Sequence, residues 1–236
     1  MRSRLLITGA TAGIGLAMAR RRAAGADLLL TGRQEHAAVR DRLPPGAAYV
    51  AADQSSPEAA AGAVRGALDR LGWDRLDLAV LNAGAGHALD PATESAQSIR
   101  VTLDVNLAAA IALAQTLLPF LENASGKLVL VGSTAHRGAP GFASYAASKA
   151  GLDGLARALR EEWRGRVAVQ IVHPGPTATG MHEKAGHDPG PIGRMFARPE
   201  TTAARIEAAI ASGRSPVTIP FARYAAADSL TTWMKR

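Results

Sequence analysis

Tyr145 and Lys149 stand four positions apart in Tyr145-Ala146-Ala147-Ser148-Lys149. On a helix that spacing puts phenol and ammonium on one face. Free tyrosine has a pKa near ~10, and a neighbouring cation favours the phenolate and lowers that value. Such a pair is suited to passing a proton to a carbonyl oxygen, or taking one from an alcohol, at the oxygen of a carbon that gains or loses hydride. A lone Tyr-x3-Lys is weak, and its weight comes from company. Ser133 could polarise and orient the same oxygen, with Thr134 beside it as a fallback hydroxyl, and Asn106 is a further polar candidate upstream.

Hydride chemistry needs a carrier, and a second group of residues is shaped to seat one. Thr8-Gly9-Ala10-Thr11-Ala12-Gly13-Ile14-Gly15 follows the apolar run Leu5-Leu6-Ile7 directly and opens a helix-period segment. Glycines at a strand-to-helix turn let backbone N–H groups approach a phosphate closely, and the helix N-terminus behind them favours its charge. A P-loop would continue with Lys and Ser or Thr, but Leu16 and Ala17 follow Gly15; the G-x-G-x-x-G spacing is also absent. At the end of the second strand an acid would bind an adenosine 2′-hydroxyl, and a cation would accept a 2′-phosphate. Here stand Gly32 and Arg33. NADP(H) is therefore the expected cofactor, with NAD(H) the second choice. Ala12 supplies no second cation.

The elements that must position these residues alternate along the chain. Strand candidates are Leu5–Ile7, Leu28–Thr31, Tyr49–Ala52, Leu78–Leu81, Leu128–Val131, Val169–Val172 and Val217–Ile219. Several are apolar throughout, as in strands covered on both faces. Between them lie helical stretches at Gly15–Ala24, Pro57–Leu71, Ser95–Asn123 (with a break), Tyr145–Arg164 and Glu200–Ser212. This rhythm predicts an α/β fold, a doubly wound parallel sheet of about seven strands with helices on both faces. Residues 1–236 read as a single domain. Its one departure is 175–199, rich in Gly, Pro and His, which is expected to be a substrate lid.

Taken together, these motifs resemble the short-chain dehydrogenase/reductase family, a Rossmann-fold family, over nearly the whole chain. The first turn matches its T-G-x-x-x-G-x-G, and Asn106, Ser133, Tyr145 and Lys149 match its catalytic four in order and placement. Asn82-Ala83-Gly84 resembles N-N-A-G with Leu81 in the leading place. Asp53, followed by Gln54, resembles the family's adenine-contacting acid. Pro174-Gly175-Pro176-Thr177-Ala178-Thr179 resembles P-G-x-V-x-T, with Thr177 for the usual Val or Ile.

The resemblance implies cofactor contacts from Gly9, Thr11, Ala12, Gly13, Ile14, Gly15, Arg33, Asp53, Gln54, Asn82, Ala83, Gly84, Tyr145, Lys149, Pro174, Gly175, Thr177 and Thr179. It implies that Lys149 binds the nicotinamide ribose, that Asn106 holds a water relaying protons through Lys149, and that the Thr177 hydroxyl adds a donor. Homodimers or homotetramers built on the helices around Leu107–Leu118 and Ala150–Leu159 are implied too. Ser133 and Tyr145 are twelve positions apart, one fewer than is usual in that family, which places a deletion in the Ala135-His136-Arg137 loop.

Composition narrows the alternatives. Cysteine is absent, which excludes disulfides and thiolate chemistry and suits the cytoplasm. Lys+Arg 27 against Asp+Glu 20 gives +7, but the arginines are dispersed apart from Arg20-Arg21-Arg22, and aromatics are 4%, so no nucleic acid is expected. The oily stretch Leu107–Leu121, broken by Gln115, Thr116 and Pro119, reads as too short to span a membrane. His182 and His187 are one residue too far apart for the zinc-protease spacing, and no metal is expected. His87 and Met181 are candidates for lining a substrate pocket. The expected activity is reduction of a small carbonyl, or the reverse oxidation of a secondary alcohol. A non-catalytic NADP(H)-binding sensor or scaffold on the same fold is the alternative, and nucleotide-sugar epimerase or dehydratase chemistry a third.

Overall fold

In the computed structural model, which describes residues 2–180 and 190–220, seven parallel strands form one sheet. They are β1 (Ser3–Ile7), β2 (Ala26–Gly32), β3 (Ala48–Ala51), β4 (Leu78–Leu81), β5 (Lys127–Val131), β6 (Ala168–Pro174) and β7 (Val217–Ile219), in the order β3-β2-β1-β4-β5-β6-β7. Helices α1 (Gly13–Arg22), α2 (Pro57–Arg70), α3 (Ala96–Leu103), α4 (Ala109–Glu122), α5 (Ala143–Glu162) and α6 (Pro199–Ser212) cover its two faces. The predicted doubly wound α/β sheet is observed.

The continuous apolar runs explain why. On β1, Leu5 and Ile7 enter one core with Met18 of α1 and Ile206 and Ile210 of α6, whereas Leu6 enters the other with Val64, Leu113, Leu117 and Leu152. β2, β4 and β5 divide their leucines, valines and alanines the same way. A strand alternates faces with period two, so only an all-apolar strand satisfies helices on both sides.

Three expectations change in detail. The first helix begins at Gly13 rather than Gly15, so the glycine turn includes its first residues. The break in the long helical stretch is a π turn, Asp104–Ala108, joining α3 to α4 without interruption. The resulting helix, Ala96–Glu122, is long and apolar enough by length and composition to cross a membrane, which corrects the shorter reading of Leu107–Leu121; 39% of its most apolar window is buried inside the fold, where Leu113, Leu117 and Leu121 join the core. Arg21 and Arg22 reach Glu207 of α6 at 2.8 and 2.9 Å and join the two helices of that face. Within 175–199, Thr177 forms a bridge to Ala197, Gly190–Met195 is a short helical turn, and Pro199 opens α6. Met181, His182 and His187 lie outside the described residues.

Candidate active site

The strand order reverses between β1 and β4, and in open α/β sheets the ligand crevice lies at the carboxyl ends there. The buried Thr8 hydroxyl accepts from the backbone N–H groups of Asn82 and Ala83, both at 3.0 Å. The Asn82 amide donates in turn to the Thr8 carbonyl at 3.0 Å and, more weakly, to that of Gly9 at 3.4 Å. These bonds bolt the glycine turn to the end of β4. Asn82 was expected as a cofactor contact; its amide nitrogen here staples the walls of the crevice.

The turn is built for close approach. Gly9 and Gly13 adopt φ of +64° and +55°, a region that penalises any β-carbon. At Gly15 a β-carbon would stand 2.4 Å from the Gly9 carbonyl oxygen and 2.6 Å from Asn82 Nδ2. The helix that follows has no side-chain cap at Ala12 and no acid in its first turn, and the first N–H groups of a helix have no acceptor within it. That uncapped end is the feature a pyrophosphate would satisfy. Thr179 closes over the same turn, its methyl 3.0 Å from where a Gly13 β-carbon would lie. Exposed Ala12 offers no charge, and Ile14 packs partly into the core.

At the end of β2, Thr11 packs against Gly32, and Arg33 is exposed beside them. Asp53 is exposed after β3 and accepts the Ser55 amide at 2.9 Å; Gln54 next to it is buried. Pro174 ends β6, and Gly175 N–H reaches the Ile219 carbonyl at 3.0 Å. The Thr177 hydroxyl corrects the expectation of an extra cofactor donor. It is buried, donates to Gly175 O at 3.1 Å and pairs with the Thr202 hydroxyl at 3.0 Å, so only the backbone of 177 remains for a ligand.

The structure brings Asn106, Ser133, Tyr145 and Lys149 together at the neighbouring strand ends. Tyr145 and Lys149 lie one turn apart on α5, both buried, with Lys149 Nζ 5.7 Å from the phenol ring centroid. Lys149 donates to the Val131 carbonyl at 3.0 Å. Ser133, just past β5, lies beside the Tyr145 phenol, near enough to oppose the rise that burial imposes on it. It also accepts the Ala135 amide at 3.2 Å. Ser133, not Thr134, is therefore the hydroxyl beside the phenol, and the shortened loop does not displace it. Gly86 lies against the phenol ring: a β-carbon there would be 2.7 Å from it. A β-carbon at Gly84 would stand 3.2 Å from Asn106 Oδ1 and 3.4 Å from Lys149 Nζ.

Two electrostatic expectations change. Burial pushes the Tyr145 phenol above the ordinary tyrosine value, opposed by Ser133; the chain's own groups alone do not acidify it. Burial also brings Lys149 down from 10.5 to about 8, which makes it an ammonium that releases its proton readily. Asn106 Nδ2 donates to the Ala85 carbonyl at 2.7 Å and to the Ser148 hydroxyl at 2.9 Å, while its Oδ1 accepts the Ala85 amide at 2.8 Å. This side chain fastens the segment after β4 to α5, using both Nδ2 protons and one of the two lone pairs of Oδ1. Ala85, Ser148 and the Val131 carbonyl are partners that the sequence did not single out; backbone acceptors leave no mark in it. His87 meets Ser98 at 3.4 Å through Nδ1. Among the described residues, no group of three His, Cys, Asp or Glu could hold a metal ion.

A phosphate-ready glycine turn at the switch point of a doubly wound sheet defines a dinucleotide-binding α/β protein. More narrowly, the short chain dehydrogenase family model matches residues 3–190, and the chain belongs to that family. It is 37% identical over 168 residues to a human hydroxysteroid 11-beta-dehydrogenase 1-like protein, covering 68% of this chain and 53% of that one. It is 34% identical over 196 residues to an uncharacterized oxidoreductase of Mycobacterium tuberculosis, covering 78% and 77%. The match thus spans about half the length of the human relative and three quarters of the mycobacterial one.

Among solved structures, a short-chain dehydrogenase of Burkholderia cenocepacia in complex with NADP is 29% identical, with a TM-score of 0.79 over 92% of this chain and 96% of that one. One from Sphingobium yanoikuyae in complex with NADPH is 26% identical, with a TM-score of 0.80 over 94% and 90%.

Proposed function

We propose that this chain is an NADP(H)-dependent oxidoreductase that reduces a small carbonyl compound, and oxidises the matching secondary alcohol in reverse. The observation that carries the proposal is the buried phenol of Tyr145, beside Ser133 and one helical turn from Lys149, at the end of a sheet whose next crevice is fitted for a pyrophosphate.

The cofactor's fit rests on that crevice. Gly9, Gly13 and Gly15 leave room for its phosphates, the N-terminus of α1 would bind them, and Arg33 would pair with a 2′-phosphate. Exposed Asp53 would face the adenine, and Thr179 would close over the phosphates. The NADP and NADPH bound in the related structures support the same choice. When bound, the nicotinamide supplies or accepts hydride.

Ser133 donates a hydrogen bond to the substrate carbonyl oxygen and holds it at the Tyr145 hydroxyl. As hydride reaches the carbonyl carbon, the C=O π bond breaks, and the phenol proton moves to the oxygen to complete the alcohol. The tyrosinate left behind takes a proton from Lys149, whose value of about 8 suits it to give one up and recover it from water. The reverse reaction runs through the same groups. We place this activity in the cytoplasm and in a homodimer or homotetramer, readings supported by the absence of cysteine and by the apolar residues exposed on α3 and α4.

Loss of NADPH absorbance over a panel of aldehydes, ketones and oxosteroids tests the proposal. Turnover with at least one class, abolished by Tyr145→Phe while NADPH still binds, is expected. NADPH binding without turnover across the whole panel would overturn the enzyme in favour of a sensor.

A further inference from the structure

Behind Ser133 lies a cluster that the reaction as described does not use. His136, in the helical turn after β5, stacks on His173 near the end of β6 with ring centroids 3.9 Å apart and planes 27° from parallel. His136 Nδ1 is 2.6 Å from the Ser133 carbonyl oxygen. A carbonyl only accepts, so this nitrogen carries the proton. His173 is 1% exposed and sits 3.3 Å through Nε2 from Asp153 Oδ1 on α5, one turn beyond Lys149. With its proton on Nε2, His173 presents a lone pair at Nδ1, and that buried atom has no hydrogen-bond partner. Gly132 makes room for the ring: a β-carbon there would stand 2.4 Å from His173 Nδ1.

These contacts form one line from α5 through β6 to the turn that carries Ser133. We propose that His136 and His173, backed by Asp153, are positioning residues that hold Ser133 against Tyr145, and that protonation of His173 releases the serine. The proposal rests on the reading of Ser133 as the group that orients substrate. A second proton on His173 would meet the opposition of His136 at 3.9 Å and would compete with His136 Nδ1 for the Ser133 carbonyl.

The charged groups around the pair give the sign. Asp153 favours a charged His173, but it is shared with Arg157 at 3.6 Å. Lys149 occupies the preceding turn of α5, and Arg137 follows His136 in the loop. Burial and His136 together outweigh Asp153 and the Ser133 carbonyl, so His173 takes up its second proton only below its ordinary 6.5. The neutral, holding form thus prevails at neutral pH, and the serine is released on acidification.

The test follows the backbone amide resonances of Ser133 and Ala135, with the histidine imidazole resonances, from about pH 8 to about pH 5. The Ser133 and Ala135 amides should move with the His173 imidazole at a midpoint below 6.5 in the wild-type protein, and kcat should fall with that midpoint. In His173→Gln, which can still donate to Asp153 but does not titrate, the Ser133 amide should stay put and the acid loss of kcat should move to lower pH. His136→Ala should lower kcat about tenfold with NADPH affinity unchanged, and His136→Asn, whose amide can still reach the carbonyl, should recover most of it. A Ser133 amide that ignores the imidazole titration, or a His136→Ala enzyme with wild-type kcat, overturns the proposal. Absence of any wild-type turnover would sink the reductase reading, while the resonance titration would still decide this one.

Discussion

Thr11 and Gly32 are in contact across the cofactor crevice: a β-carbon at position 32 would stand 2.6 Å from the Thr11 methyl and 3.1 Å from the Tyr49 hydroxyl. Position 32 is where a carboxylate would select NAD(H), and this packing keeps any side chain out. Thr11 is β-branched and has little rotamer freedom to yield.

Gly32→Asp alone is therefore expected to weaken binding of both cofactors, and Thr11→Ala combined with Gly32→Asp to bind NADH better than NADPH. Arg33→Ala should raise the KM for NADPH at least tenfold, since a charge-assisted bond is worth about 1.5–3 kcal/mol, and leave that for NADH unchanged. Steady-state kinetics with each cofactor checks this. Unchanged selectivity in Arg33→Ala would remove the basis for NADP(H).

Gly15 has the least room in the phosphate turn. The atoms a β-carbon would meet are the Gly9 carbonyl oxygen and the Asn82 amide, which is itself bonded to the Thr8 carbonyl. Gly15→Ala should cost about 2 kcal/mol by overpacking and abolish NADPH binding, read by urea unfolding and fluorescence titration. Gly62, within α2, has open space where its β-carbon would be. Gly62→Ala should raise stability by about 0.5–1 kcal/mol with cofactor binding intact.

Much of this architecture could be read from residue types, for physical reasons. Leu28–Leu30 and Leu128–Val131 are apolar on consecutive positions because both faces of a parallel strand are covered. The glycines of the first turn and the order Asn106, Ser133, Tyr145, Lys149 carry their chemistry in their identities. What stayed hidden depends on three-dimensional bonding. The π turn that aims Asn106 at Ala85 arises from a shift in backbone hydrogen bonding, to which the residues of Asp104–Ala108 give no distinct signal. His173 is one of two polar residues in β6, with Gln170, and only the folded structure shows it stacked against His136 behind Ser133. The Thr177 hydroxyl read as a donor to a ligand because its interior partner, Thr202, is distant in sequence.

Ile99, Leu103 and Ile111, on α3 and α4, are each 36–39% exposed. Ile111 belongs to the stretch Leu107–Leu118 expected to meet a second copy of the chain, and Ile99 and Leu103 precede it on α3. Light scattering at micromolar concentration should give a dimer or tetramer, and Ile111→Glu should shift it toward monomer with its circular dichroism preserved. A clean wild-type monomer would contradict the oligomer.

Lys149 links stability to catalysis. Burial lowers it from 10.5 to about 8, so between those values the unfolded chain binds more protons than the fold, and this group's contribution to stability rises with pH. Below about 8 the fold carries the full cost of a buried ammonium, on the order of 3 kcal/mol. Lys149→Met keeps the volume and removes the charge. The variant should be more stable than wild type at pH 7 by about 2 kcal/mol in urea unfolding, with the gap closing as pH rises through 8 toward 10.5, and it should lose turnover. The same titration sets the free enzyme's alkaline limb: kcat/KM for reduction should fall as pH rises through about 8. A Lys149→Met protein no more stable than wild type at neutral pH would mean that the Val131 carbonyl bond already compensates the buried charge.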